Sequence, residues 1–335
     1  MSGPGAPPGR RPAVILGGAA LLLALLVAPL VLSPFETLQV SYGLIFAIAA
    51  LGFNLLLGYT GLLSFGHSAF FGTGAYTAAF LVKYGGATSM ELYLLGGALA
   101  SLLVAAVFGV VCVRYTRIFF GILALALSQV LWSLALKLFW VTGGSDGLRV
   151  PTPVLLGGVV DRALGRLTDK TEFLAHRYYY YVLAVFLVAA GVMWLIVNSP
   201  FGKALQAIRD NEVRADFVGI SVRRYRYVAF LVSGLFTGVA GTLWVPLNGL
   251  TTPDILYWPF SGKIVFMVVL GGFRTFWGPV VGAFVFNYLE VFAVGFTVYW
   301  QLLLGVILVT LVLAMPTGLV GTAGQLWARR RRAAR

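Results

Sequence analysis

The stretch "GFNLLLGYTGLLSFGHSAFFGTGAY", residues 52–76, decides how this chain is read. It contains no Asp, Glu, Lys or Arg, as a segment buried in a bilayer requires. Yet glycine stands at 52, 58, 61, 66, 72 and 74, with Asn54, Ser64, His67 and Ser68 between them. The pattern predicts a helix end, a break around Gly58–Gly66 and a new helix from about His67. Non-helical backbone at membrane depth survives only where protein or water satisfies its polar groups. Asn54, Ser64 and Ser68 are candidate partners for those groups, and the glycines allow bending and close helix approach.

The rest of the chain supports a membrane setting. Of 335 residues, 60% are hydrophobic and only 10% charged, against about 25% charged in a soluble domain. Mean hydropathy is +0.93. Several apolar runs reach the ~20 residues that cross a bilayer core. They are continuous, as at 92–113, and do not alternate with the period of a β-barrel. The fold expected is an all-α polytopic integral membrane protein of about 8–10 transmembrane helices, some broken or re-entrant. The net charge of +13 sits in short patches between and after apolar runs. That is the distribution of the positive-inside bias, not of a nucleic-acid-binding surface. The single cysteine, Cys112, excludes an intrachain disulfide. Arg10 and Arg11 precede an apolar run and imitate a signal peptide, but the run is long for one and no small-x-small cleavage site follows. The expectation is a retained first span behind a disordered tail, residues 1–12.

Candidate spans are 13–32, 39–57, 66–82, 91–113, 118–141, 178–197, 227–247, 259–271, 278–296 and 299–315. The segments 66–82 and 259–271 are short or glycine-rich and are equally readable as re-entrant. The transmembrane domain is thus 13–317, followed by a basic tail, 318–335. Arginines at 329–332 and 335, and six basic residues within 198–226, mark both segments as cytoplasmic. The loop 142–177 then lies outside, with both termini inside, in a ten-span and equally in an eight-span arrangement. An internal echo joins "LGYTGLLSFGHSAFFG" (57–72) to "LGGFRTFWGPVVGAF" (270–284). Paired breaks of this kind mark transport pathways in many transporters. The candidate pathway residues are therefore Asn54, Gly58, Gly61, Gly66, His67, Gly271, Gly272 and Gly278. In the ten-span count both members lie on one side, which an inverted repeat would not give.

Ionisable residues within spans are few: His67, Lys137, Lys263, Glu290, and Asp254 near a span end. Lys137 is placed to snorkel, and Lys263 and Glu290 to pair across helices or to sit at interfaces. His67 is open to three readings: a substrate contact, a proton relay, or a helix-start residue held by the backbone. No second His and no Cys/Asp cluster accompanies it, so no metal site is expected. His176, beside Arg177 in the loop 142–177, is expected to be solvated. In "TGGSDGLRVPTP" Gly143, Gly144 and Gly147 permit tight turns and Asp146 is suited to satisfying local amides. No nucleophile–base–orienter set is visible, which counts against an enzyme.

The segment "NSPFGKALQAIRDNEVRADFVGISVRRYRYVAF" (198–230) reads as a short amphipathic helix between two spans. Asn198 or Ser199 caps it and Pro200 suits its first turn. Phe201, Ala204, Leu205, Ile208, Ala215 and Val218 share one face, and Gly219 is the stop. Such a helix lies on anionic lipid or docks in a partner's groove. Asp210, Glu212 and Asp216 weigh against a face built for anionic lipid alone.

Five blocks, in order, resemble the permeases of bacterial ATP-binding-cassette importers for branched-chain amino acids. They are "NLLLGYTGLLSFGHSAFFGTGAY" (54–76), "TGGSDGL" (142–148), "FGKALQAIRDNEVRADFVGISV" (201–222), "VVLGGFRTFWGPVVGA" (268–283) and "AMPTGLVG" (314–321). Length and the long loop resemble the larger permease subunit of the usual heterodimer. The resemblance implies that 201–219 is the loop coupling the permease to its ATPases, through Gly202, Lys203, Ala204, Ala207, Arg209, Asp210, Asn211, Ala215 and Gly219. The importer pattern is Glu-Ala-Ala, three residues, then Gly. Ala215 and Gly219 match it, while Val213 and Arg214 depart from its first two positions. It further implies two cytoplasmic ATPases that use ATP and Mg, a second permease, an extracytoplasmic substrate-binding protein and a bacterial inner-membrane location. Gly143, Gly144, Asp146 and Gly147 would lie near the gate or the binding-protein surface. The chain has no phosphate-binding loop of its own: Gly202-Lys203 is followed by Ala and Gly262-Lys263 by Ile. It is expected to bind no cofactor and no nucleic acid. Two alternatives stand beside this reading. One is the same machine for urea, amides or other amino acids; the other is an ion-coupled secondary transporter or channel.

Overall fold

The computed structural model describes residues 22–115, 117–159 and 169–333, excluding the side chains of 117 and 326–333. The tail 1–12, the first part of the span expected at 13–32 and the arginine side chains near the C-terminus lie outside that description. The fold is an all-α polytopic bundle. Among the described residues seven helices are long and apolar enough to cross a membrane, beside two shorter apolar ones.

Ser33 separates the first two helices, α1 (Leu22–Val31) and α2 (Pro34–Asn54). Its hydroxyl accepts from the Glu36 amide at 3.3 Å while the Glu36 carboxylate accepts from the Ser33 amide at 3.0 Å. This reciprocal cap, with Pro34 where a missing N–H costs nothing, starts α2 five residues before the expected 39. α2 is buried without interruption from Gly43 to Asn54. A helix apolar on all sides belongs inside a bundle. Its last turn widens into a π-helical turn, Leu55–Thr60, ended by Gly61 at φ +76°.

The chain then turns back as an extended segment and starts α3 (His67–Gly85), followed by α4 (Met90–Cys112) and α5 (Arg117–Lys137). The span expected to 141 stops at Lys137: the helix breaks at Leu138 before a single turn, Phe139–Thr142. α6 (Tyr179–Asn198) leads into two short helices, α7 (Pro200–Asp210) and α8 (Glu212–Phe217). α9 (Val222–Asn248) returns, followed by α10 (Trp258–Gly271), α11 (Gly278–Phe296), α12 (Trp300–Ala314) and α13 (Gly318–Ala333).

α9 is the central mast, flanked by α2, α3 and α4. The Gly74–Gly238 crossing shows why: a Cβ on Gly74 would stand 2.1 Å from the Gly238 carbonyl oxygen. With that approach open, Thr242 Oγ1 donates to the Gly74 carbonyl (3.2 Å) and Ser101 Oγ to that of Phe70 (3.1 Å). Small residues and hydroxyls are how helices associate where no hydrophobic drive exists.

The bundle has two faces. A basic face gathers Arg114, the α7–α8 segment and the loop with Arg274. The opposite face carries a two-stranded ribbon that the sequence pattern did not reveal, β1 (Leu148–Arg149) paired antiparallel with β2 (Leu250–Thr251). It brings part of the 142–177 loop onto the end of α9. α3 runs toward this ribbon face, where Lys83 Nζ and Tyr84 Oη donate to the Val141 carbonyl (3.1 and 3.0 Å). α10 runs the other way, toward the basic face. Each therefore passes between faces rather than returning to its own, against the re-entrant alternative for 66–82 and 259–271.

Candidate functional site

The break after α2 is organised around His67. The imidazole is fully buried, with Nδ1 3.2 Å from Ser64 Oγ and Nε2 2.8 Å from Ser233 Oγ of α9. The Phe53 and Phe70 rings stand edge-on to it, with centroids at 4.8 and 5.5 Å. Both ring nitrogens are thus engaged, and the histidine joins the re-entering strand of chain to the mast. Ser64 Oγ also accepts from the Gly66 amide at 3.3 Å, as a partner for freed backbone. Gly66 lies against α5, where a Cβ would meet the Ala124 carbonyl oxygen at 2.4 Å.

Ser68 and Asn54 do not act as the sequence suggests. Ser68 Oγ and Asn54 Oδ1 are buried without a hydrogen-bond partner. It is the Ser68 amide that is satisfied, by Ser261 Oγ of α10 at 2.8 Å. α3 and α10 thus begin side by side and run in opposite directions. Helix starts that meet in this way also occur in inverted repeats. The echo between 57–72 and 270–284 joins different parts. Its two members meet on the basic face, where a Cβ on Gly58 would lie 2.3 Å from the Phe273 carbonyl oxygen. Gly271 and Gly278 close the α10–α11 crossing, where a Cβ on Gly271 would stand 1.8 Å from the Gly278 carbonyl oxygen, and Gly272, at φ +107°, abuts Thr317 before α13. The structural counterpart of α3 is α10, not the segment after it.

The surface helix is two helices, which corrects the single helix expected over 201–219. α7 is capped by Ser199, whose hydroxyl accepts from the Gly202 amide at 3.4 Å. It stops at Asn211, which is extended (φ −160°, ψ 106°) because its side chain caps α8, accepting from the Arg214 amide at 2.9 Å. Gly219, at φ +86°, ends the pair as predicted. Gly202, Leu205, Ile208 and Ala215 are buried, Ala204 is half-buried, and Lys203, Ala207, Asp210 and Asn211 are exposed. Val218 does not join the buried face: Val213, Phe217 and Val218 are 64%, 88% and 80% exposed.

Two arginines bolt this pair to the bundle. Arg209 Nη1 donates to the Gly58 carbonyl, and its stem lies over Gly61, 3.0 Å from where a Cβ would be. The helix pair is therefore held on the π-helical turn, Leu55–Thr60, that follows α2 and leads into the break. Arg226 of α9 is buried and grips Glu212 of α8 with both terminal nitrogens at 2.8 Å. Planar two-point pairing of this kind fixes orientation as well as proximity. Sequence reasoning missed Arg226, Glu212, Ser233 and Ser261 as fastenings. For the two serines, small polar residues inside apolar helices were the available signal.

On the ribbon face Gly143, Gly144 and Gly147 all have positive φ (+77°, +53° and +70°). Asp146 is exposed and meets only Ser145 Oγ, at 3.5 Å. The turn is closed by backbone instead, with Asp146 and Gly147 amides donating to Gly143 and Gly144 carbonyls (3.1 and 3.3 Å), so no carboxylate is needed. His176 is half-buried, with Nδ1 3.3 Å from the Glu172 carbonyl oxygen, not free in solvent. Lys263 and Glu290 are paired across α10 and α11. Lys137 is exposed at the end of α5. Among the described residues no three of His, Cys, Asp and Glu gather as metal ligands would.

Comparison with known proteins adds a family to this geometry. A family described as "Branched-chain amino acid transport system / permease component" matches residues 37–313. The chain is 29% identical over 317 residues to the high-affinity branched-chain amino acid transport system permease protein LivM of Escherichia coli K12, covering 88% of this chain and 74% of that one. The LivM protein of Salmonella typhimurium is 28% identical over 313 residues, 90% and 73% of the two chains. The LivH permease of Salmonella typhimurium is 24% identical over 294 residues, 84% and 93%. No solved structure matches.

Proposed function

The chain belongs to the family of permease components of branched-chain amino acid transport systems, and from that premise we propose that it is one transmembrane subunit of an ATP-driven importer for leucine, isoleucine and valine. The observation that carries the reading is the α7–α8 pair. It exposes Phe217, Val213 and Val218 to a partner while Arg209 ties it to the π-helical turn after α2. Apolar side chains on a short exposed helix suit a groove on a separate ATPase, and the relatives' description as transport permeases agrees with that role.

The basic face is then cytoplasmic, as its Lys and Arg content favours, and the ribbon face receives the substrate-binding protein. Two ATPases closing on ATP would displace α7 and α8. The displacement reaches Gly58 through Arg209, and the break, Ser64, His67 and α9 lie directly beyond. Outward and inward states then exchange because the partners bind them unequally, with no covalent chemistry in this chain. The second permease, by analogy with the LivM and LivH pair of names, supplies the other wall of the pathway.

The test is reconstitution in liposomes with a candidate second permease, ATPases and binding protein. Inward transport of labelled leucine should require ATP and all partners. Uptake by this chain alone, driven by an ion gradient, would replace the reading with a secondary transporter. ATP-driven uptake of urea or amides but not leucine would retain the machine and change the cargo.

A further inference from the structure

On the basic face α4 and α9 enclose a groove that the coupling mechanism does not use. Tyr227 lies across α4 because Gly109 has no side chain: a Cβ there would stand 2.8 Å from the ring. The Tyr227 hydroxyl donates to the Ala106 carbonyl at 3.2 Å, holding the ring in place. Beside it runs a groove of about 520 Å³, with Val110, Val113 and Val228 on its walls and Arg223 and Arg224 at its mouth. Val110 and Val228 are 49% and 44% exposed, within two helices long and apolar enough to span a membrane, Met90–Cys112 and Val222–Asn248. A second cavity, of about 850 Å³, shares that mouth and adds Arg114.

The charge at the mouth is unbalanced. Arg114, Arg223 and Arg224 are exposed and have no carboxylate partner among the described residues. Two carboxylates line the second cavity; Glu212 is taken by Arg226 and Asp216 is left. The site thus joins an apolar trough at membrane depth to three guanidinium groups at its polar end. Guanidinium forks match phosphate oxygens, and basic pockets between helices on the cytoplasmic side suit anionic headgroups.

We propose that this groove binds an anionic phospholipid of the cytoplasmic leaflet. Its phosphate sits among Arg223, Arg224 and Arg114, and an acyl chain lies along Val110, Val228 and the Tyr227 ring. A soluble partner explains the arginines but not a trough that runs into the membrane-spanning part of α4. The wall of the second cavity includes Phe217 and Ser221 of the coupling segment. A lipid held at the mouth therefore abuts the element that meets the ATPase. The inference extends beyond cargo; it rests on the proposed cytoplasmic orientation of the basic face and on the membrane position of α4 and α9.

The experiment is native mass spectrometry of the purified full-length chain in detergent. Phosphatidylglycerol is titrated against phosphatidylcholine with the same acyl chains. Wild type should bind phosphatidylglycerol preferentially. Replacing the three arginines by glutamine (R114Q/R223Q/R224Q) should weaken that binding by about 100-fold, at roughly a factor of five for each basic group, and leave phosphatidylcholine unchanged. Val110→Trp, which fills the trough and keeps the charges, should weaken it as well. Equal phosphatidylglycerol binding by wild type and the triple variant overturns the proposal. So does a triple variant that loses only ATPase capture, which would assign the arginines to the protein partner. Competition by glycerol phosphate as effective as that of the whole lipid would remove the acyl-chain trough and overturn it too.

Discussion

His67 and Arg209 show how single residues hold the site together. His67 has no solvent access and spends both ring nitrogens on serines of two separate segments. His67→Phe keeps the aromatic packing and strands both hydroxyls, which should cost about 1–3 kcal/mol in detergent denaturation. His67→Gln can still reach one serine and should recover part of that loss. An unchanged midpoint in His67→Phe would show that the bridge contributes nothing. Arg209 makes a different prediction because its contact joins two elements that must move together. Arg209→Ala should leave ATPase capture intact and lower leucine uptake per ATP on the order of tenfold, within the range of ordinary coupling energies. Arg209→Lys keeps the stem over Gly61 but replaces the fork that reaches the Gly58 carbonyl and Asp210 with a point charge, and should restore only part. Normal uptake per ATP in the alanine variant would remove this residue from the transmission path.

At the scale of elements, the α7–α8 pair carries its information in the joint between its helices. Asn211 ends one helix and caps the next, and Gly219 at φ +86° turns the chain toward α9. A β-branched residue at 219 must adopt a left-handed backbone, which costs roughly 1–2 kcal/mol. Gly219→Val should therefore tilt α8 and uncouple ATP hydrolysis from uptake without lowering membrane insertion. Ala204→Glu, which places a charge at a half-buried position of α7, should do the same. Either variant with full uptake would argue against the coupling role. The element scale also explains the surface helix's incomplete legibility. Periodicity placed Phe201, Leu205 and Ile208 on one face correctly. It carried the phase through to Val218, whereas the break at Asn211 resets it and leaves Phe217 and Val218 outward.

For the whole molecule, the orientation of the two faces can be read with one chemical label. Cys112 is the single cysteine and is fully buried, so background labelling should be silent. A cysteine at Ser145, in the turn on the ribbon face, should react with an impermeant thiol reagent in intact cells. One at Asp210 should react only after the membrane is opened. Labelling of position 210 from outside would invert the assignment of faces and with it the coupling mechanism.

Much of the bundle was legible because bilayer thickness and helix rise leave few choices for long apolar runs. The span at 278–296 coincides with α11, whose start is marked by Gly278 and Pro279. Length, burial of charge and the glycine-rich break at 58–66 are local properties, and the amino-acid sequence alone determined them. What meets at that break is not local. Ser68 and Ser261 are 193 residues apart and His67 and Ser233 166; each serine looks the same in sequence whether it faces lipid, its own helix or a distant backbone amide. The sequence echo between 57–72 and 270–284 followed shared glycine packing on one face, whereas the crossing of α3 and α10 depends on chain direction. Direction and distant pairing arise only when helices choose their neighbours through close backbone approach, so the tertiary structure alone decided them.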